Sequence, residues 1–141
     1  LGLVQSIYQP SALDNDLKKL LGLMTSSASG CQYCQAHTQY GALKHGITEQ
    51  KIAAIWEYQT SDLFSPAERE ALDIARNAAL VPNAVTDEQF ERLKSHFSEV
   101  QIVEIVGVIS LFGFLNRWNA TFKTDIEAAP AMASAKFTSV V

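Results

Sequence analysis

The chain is 141 residues long, with 11 basic against 15 acidic side chains and a formal charge of −4. That length is enough for one domain with a sizeable core. The acidic balance, with Lys and Arg scattered rather than in runs, argues against nucleic acid or an anionic membrane as the main partner.

Apolar residues make up 48% of the chain and mean hydropathy is +0.03, which is high for so short a soluble chain. Part of the surface is therefore expected to be covered by another copy, a homo-oligomer; one dense core is the alternative. No basic segment followed by an apolar stretch and a small-residue cleavage site is visible, so a cytoplasmic location is expected. The longest apolar run, Ile102 to Leu115, is short for a bilayer and carries Glu104, which predicts a buried helix instead.

In chain order, an N-terminal arm (Leu1 to Ser11) precedes a helix predicted over about 12–28. A second helix is predicted over 31–45, ended by Gly46, and a third over 48–58, capped by Thr48. After the connection Asp62-Leu63-Phe64, Ser65-Pro66-Ala67-Glu68 opens a helix over 66–79 with an N-cap serine, an N1 proline and a glutamate that closes a capping box. Val81-Pro82-Asn83 reads as a connection. Thr86-Asp87-Glu88-Gln89 and Ser98-Glu99-Val100-Gln101 repeat the capping device for helices over 87–95 and 99–122. A small-residue tail runs from Ala128 to Val141, and either terminus is expected to wrap a neighbouring subunit or to be mobile.

No segment alternates with period two between turn residues, so no sheet is predicted. The fold class is all-α, a single-domain bundle of about six helices spanning 1–141 with its core at about 12–127. The last long helix is apolar around most of its circumference, which puts it at the bundle's centre or an oligomer seam. Within it Gly107, Ser110 and Gly113 form a small-residue stripe that allows close helix approach.

Chemistry concentrates at Cys31-Gln32-Tyr33-Cys34-Gln35-Ala36-His37. Two cysteines are too few for a disulfide framework, and in a reducing compartment a close pair is catalytic or metal-binding more often than structural. Ser29 or Gly30 is well placed to cap the helix, leaving both cysteines in its first turn. The spacing brings the sulfurs to one face, where a small rotamer change opens or closes a disulfide. The positive end of the helix favours a thiolate, and His37 can take the thiol proton or stabilise the anion.

Thiol-based peroxide reduction needs this set. One thiolate attacks the O–O bond and becomes a sulfenic acid, and the other condenses with it to a disulfide. Two alternatives stand beside it: a pair of inert buried cysteines, and a zinc site of Cys31, Cys34 and His37 completed by His45 or His96.

The remaining candidates read more simply. His45 is a dipole partner at a helix C-terminus and His96 a surface or capping residue. Tyr33 either hydrogen-bonds in the site or packs. Trp56, Phe64, Trp118 and Phe122 are core or interface aromatics. Glu68 and Glu70 serve a helix start and solvent.

The stretch Ala28-Ser29-Gly30-Cys31-Gln32-Tyr33-Cys34-Gln35-Ala36-His37-Thr38 resembles the core motif of the alkylhydroperoxidase D-like branch of the carboxymuconolactone decarboxylase family. Gly46-Ile47-Thr48, Phe64-Ser65-Pro66-Ala67-Glu68-Arg69 and Phe114-Leu115-Asn116-Arg117-Trp118-Asn119 extend the resemblance over roughly 12–127. It implies an all-helical fold whose protomers form dimers, trimers or larger rings. It also implies Cys34 as the peroxidatic cysteine, Cys31 as the resolving one and His37 in a proton relay.

Two positions depart from that pattern. The histidine follows the second cysteine by three residues, where many relatives have four, and Lys19 stands where relatives carry a relay glutamate. A lysine accepts no proton at neutral pH unless its pKa is strongly lowered, which leaves Asp16 and Glu70 as substitutes. The expected function is reduction of hydroperoxides, with an external dithiol reductant and neither cofactor nor metal. A redox-sensing dithiol module and decarboxylase-like lactone chemistry are the alternatives.

Overall fold

The computed structural model describes residues 2–138, and every element in it is helical. The helices are α1 (Gly2–Tyr8), α2 (Asn15–Ser29), α3 (Gln32–His45), α4 (Glu49–Ala53), α5 (Pro66–Ala78), α6 (Asp87–Lys94), α7 (Glu99–Phe122) and α8 (Ala128–Thr138). A 3-10 turn over Ile55–Glu57 continues α4, so the segment predicted as one helix over 48–58 breaks at Ala54.

The helix starts follow the capping chemistry. Ser65, Thr86 and Ser98 each accept a hydrogen bond from the backbone three residues on, and Glu68, Gln89 and Gln101 each reach back to the cap backbone. Thr48 caps α4 in the same sense. Each such cap satisfies amides that would otherwise lack partners, a contribution of about 1 kcal/mol apiece.

α2 occupies the centre of the bundle. Its residues from Leu17 to Ser26 are buried with the exception of Lys19, and it packs against α3, α5 and α7. At the crossing with α7, Gly22 leaves room for the Phe112 ring, whose Cε2 would lie 2.6 Å from an added Cβ. α7 is therefore covered on one side only. Ile105, Val108, Leu111 and Phe112 face the core, whereas Val100, Val103, Phe114, Trp118 and Phe122 are exposed. Phe64 joins the core, while Trp56 lies half outside it.

The expectation of about six helices is corrected by the two termini. α1 has no buried residue of its own, but it lies on α7, where Ile7 meets Gly107. It is tied down by Lys18, a fully buried lysine whose Nζ donates to Ile7 O, Gln9 O and Ser11 Oγ at 2.8, 2.9 and 2.7 Å. Glu104 holds the following turn, accepting from Ser11 Oγ and from the Leu13 backbone. α8 lies along α3 with Pro130 and Ala133 buried, and Lys136 pairs with Glu49 at 2.9 Å. α1 turns Val4, Ile7 and Tyr8, at i, i+3 and i+4, onto the core, whereas α8 shows no amphipathic period; each is covered by a neighbouring helix. The last part of the predicted tail, 139–141, lies outside the described residues.

Candidate active site

Gly30 makes the turn between α2 and α3. It sits in the left-handed region at φ 74° and its N–H reaches the carbonyls of Ser26 and Ser27, a conformation glycine adopts without strain. The cap of α3 is then neither Ser29 nor Gly30 but Cys31 itself, whose Sγ accepts the Cys34 N–H at 3.2 Å. A sulfur takes the place usually held by a hydroxyl or carboxylate oxygen. It does so because the tight turn at Gly30 spends both earlier residues on closing α2.

Both cysteines are free and buried. Burial pushes the Cys34 thiol well above the ordinary thiol range; the neighbouring Cys31 sulfur adds to this, and the Asn119 amide, 3.8 Å from Cys34 Sγ, works against it. The positive helix end expected to favour a thiolate is thus outweighed at Cys34 by desolvation. Cys34 carries its proton at neutral pH and needs a base to lose it.

His37, one turn after Cys34, pairs with a carboxylate that sequence reasoning missed. Its Nε2 stands 2.6 Å from Glu127 Oε2, and the Tyr33 hydroxyl donates to Glu127 Oε1 at 3.0 Å. The Tyr33 ring stacks on the imidazole with centroids 4.2 Å apart. Glu127 lies in the turn before α8, and its carboxyl is held below the usual range by its own backbone N–H and then by His37. An ionised carboxylate only accepts, so Nε2 carries a proton and Nδ1 is the ring nitrogen left for exchange. Among the described residues, no hydrogen bond joins the ring to either sulfur.

The other sequence candidates lie elsewhere. Asp16 binds His45 Nε2 at 2.8 Å, Glu70 binds Arg92 at 3.2 Å, and Glu68 binds Lys51 at 2.8 Å. Neither Asp16 nor Glu70 pairs with His37. His96 is exposed in the turn before α7. His45 and His96 do not complete a zinc site with the thiols; among the described residues no group of three or more His, Cys, Asp or Glu could hold a metal.

Asn119 is the second residue missed. With Asn116 it places two polar side chains one turn apart on an apolar helix, a pattern that sequence can show but that points to no particular partner. Asn116 is spent on the core, accepting from Ser26 Oγ, while Asn119 reaches Cys34. A hollow of about 300 Å³ opens over Cys31, lined by Tyr33, Asn119 and Lys123.

An all-helical bundle with a Cys-x-x-Cys at a helix start, a histidine one turn on and a carboxylate behind that histidine defines a class of thiol-bearing helical proteins. The chain matches the carboxymuconolactone decarboxylase family over residues 2–77, and it belongs to that family. It is 32% identical over 118 residues to the uncharacterized protein YdfG of Bacillus subtilis, covering 82% of this chain and 78% of YdfG. Among solved structures it is similar to the debrominase Bmp8. A cysteine-to-alanine form of Bmp8 in complex with 2,3,4-tribromopyrrole superposes with a TM-score of 0.92 at 35% identity, over 96% of this chain and 73% of Bmp8.

It is also similar to ATU0492 of Agrobacterium tumefaciens, a candidate antioxidant defence protein AhpD. There the TM-score is 0.83 at 25% identity, over 90% of this chain and 87% of that one. Family and fold link the chain to peroxidase-related proteins of the AhpD type.

Proposed function

We propose that this protein is a dithiol oxidoreductase that reduces organic hydroperoxides. The reading is carried by two free, buried sulfurs at one helix start, one turn from a histidine backed by a carboxylate. His37 Nδ1 takes the Cys34 proton through one water, a reach general bases commonly use. The thiolate attacks the distal peroxide oxygen, the O–O bond breaks, and the alkoxide leaves as an alcohol with the proton returned from His37. Cys34 is then a sulfenic acid.

Cys31 attacks its sulfur, water leaves, and the Cys31–Cys34 disulfide forms; an external dithiol returns it to the reduced state. Recycling of this kind belongs to a reducing compartment, the cytosol. The exposed side of α7 supports assembly with further copies of the chain as a homo-oligomer.

The test is trapping. Cys34→Ser abolishes hydroperoxide consumption, and Cys31→Ser leaves a sulfenic acid on Cys34 that dimedone labels. Sulfenic acid on Cys31 in the Cys34→Ser protein exchanges the two roles. Wild-type consumption no faster than that of a free thiol at the same pH overturns the enzyme reading and leaves a redox-sensing dithiol.

A second reading is favoured by the likeness to Bmp8 over nearly the whole chain. In it the Cys34 thiolate takes bromine from a bromopyrrole, and the ring carbanion takes the proton held by His37. Cys31 then displaces bromide from the sulfenyl bromide to give the same disulfide. Bromide release from 2,3,4-tribromopyrrole, one per disulfide formed, supports that reading over the first.

A further inference from the structure

A second feature sits on the other side of His37. Two adjoining hollows are both lined by Lys19, His37 and Gly41. One holds about 130 Å³ against the rings of Tyr8 and Phe112, and the other, about 480 Å³, opens along Tyr40 and Lys44. Gly41 borders both hollows beside the ammonium, since a Cβ there would stand in ordinary contact, 3.9 Å, with Lys19 Nζ.

Lys19 differs from four of the chain's other lysines. Lys18 has three oxygen acceptors, and Lys51, Lys94 and Lys136 each have a carboxylate. Among the described residues Lys19 has neither; its Nζ lies 4.2 Å from the Tyr8 ring centroid. Asp16 and Glu127 are engaged by the groove's own histidines, His45 and His37. Lys44, at the mouth of the groove, faces only the Tyr40 ring. Burial lowers the Lys19 pKa, the mark of an ammonium partly stripped of water without a counter-ion.

We propose that this groove is an anion subsite in which Lys19 binds the carboxylate of an organic substrate with an apolar body. The inference rests on the hydroperoxide reading in one respect, that Cys34 is the reacting atom. Along α3, Cys34, His37, Thr38 and Gly41 lie at i, i+3, i+4 and i+7, on one face. A carboxylate held on Lys19 beside Gly41 is therefore about 10 Å from Cys34 along the helix, by the ~1.5 Å rise per residue. The preferred substrate carries its carboxylate and its peroxide several bonds apart.

Binding and turnover test this separately. Octanoate is titrated calorimetrically into the reduced full-length protein, with 1-octanol as the uncharged probe. Octanoate binds and octanol does not bind comparably; Lys19→Met weakens octanoate at least tenfold, while Lys19→Arg keeps affinity within about threefold. In turnover, Lys19→Met lowers the ratio of kcat/KM for a fatty-acid hydroperoxide over cumene hydroperoxide at least tenfold, and Lys19→Arg preserves that ratio. Equal binding of octanol and octanoate, or octanoate affinity unchanged in Lys19→Met, overturns the subsite. A wild type that binds octanoate through Lys19 but consumes no peroxide overturns the peroxidase reading and leaves the subsite standing.

Discussion

Glu127 and His37 form the most consequential pair in the molecule, and 90 residues of chain separate them. The carboxylate fixes which imidazole nitrogen is protonated and how the ring is turned, so its effect is on proton transfer. Glu127→Gln lowers kcat/KM for hydroperoxide about tenfold, a fraction of the roughly 10²–10⁴-fold a positioned proton carrier supplies. The pH–rate profile moves with it, whereas the thermal transition stays close to wild type because the pair is largely exposed.

Cys34 makes a second prediction. Its folded pKa is raised by burial, so the thiol form is the one the folded state favours. The associated stability is complete below the unfolded thiol value of about 8.5 and is lost as pH rises from there toward the folded value. The reduced protein therefore weakens above that point, and Cys34→Ser flattens the dependence, as urea midpoints across alkaline pH will show.

The bundle depends on how closely α2 and α7 approach. Gly22 is an unfavourable residue for a helix interior by about 1 kcal/mol relative to alanine, so on propensity alone Gly22→Ala should stabilise. Three atoms of the Phe112 ring lie within 3.2 Å of where the new methyl would sit. Overpacking of that kind costs about 1–3 kcal/mol. Gly22→Ala lowers the urea midpoint, and Phe112→Leu restores part of the loss in the Gly22→Ala background. Both findings would be absent if propensity decided. The terminal helices depend on such packing too: α1 is held by Val4, Ile7 and Tyr8 against the core and by the buried Lys18 ammonium, while the Glu104 carboxylate holds the turn that follows.

Across the whole molecule the conspicuous surface is the outer side of α7. Val100, Val103, Phe114, Trp118 and Phe122 are each more than half exposed, and the Phe114, Trp118 and Phe122 rings run along the helix, the first pair stacked with centroids 6.0 Å apart and the second tilted at 5.0 Å. The helix is long and apolar enough to cross a membrane by length and composition, yet its inner side is part of the core built on α2. Coverage of the outer side by another copy fits both facts. Sedimentation of Val103→Glu/Trp118→Glu is expected to give the single chain at concentrations where wild type is larger; identical sedimentation of the two removes α7 as the seam.

The local signals were legible from residues alone. Three capping boxes, the Thr48 cap and the absence of period-two patterning determined the type and start of most helices, since these depend on side chains within four residues of one another. Cys31, Cys34 and His37 were legible as near neighbours at one helix start for the same reason, standing at i, i+3 and i+6. What depends on contacts between distant segments was not legible. Cys31 became the cap because Gly30 was needed to end α2, and α1 and α8 became helices because α7 and α3 cover them. The acid behind His37 proved to be Glu127 rather than Asp16 or Glu70, and Lys19 was left without a counter-ion. No spacing in the chain encodes the packing of the turn before α8 against the start of α3, and that packing alone brings Glu127 to His37.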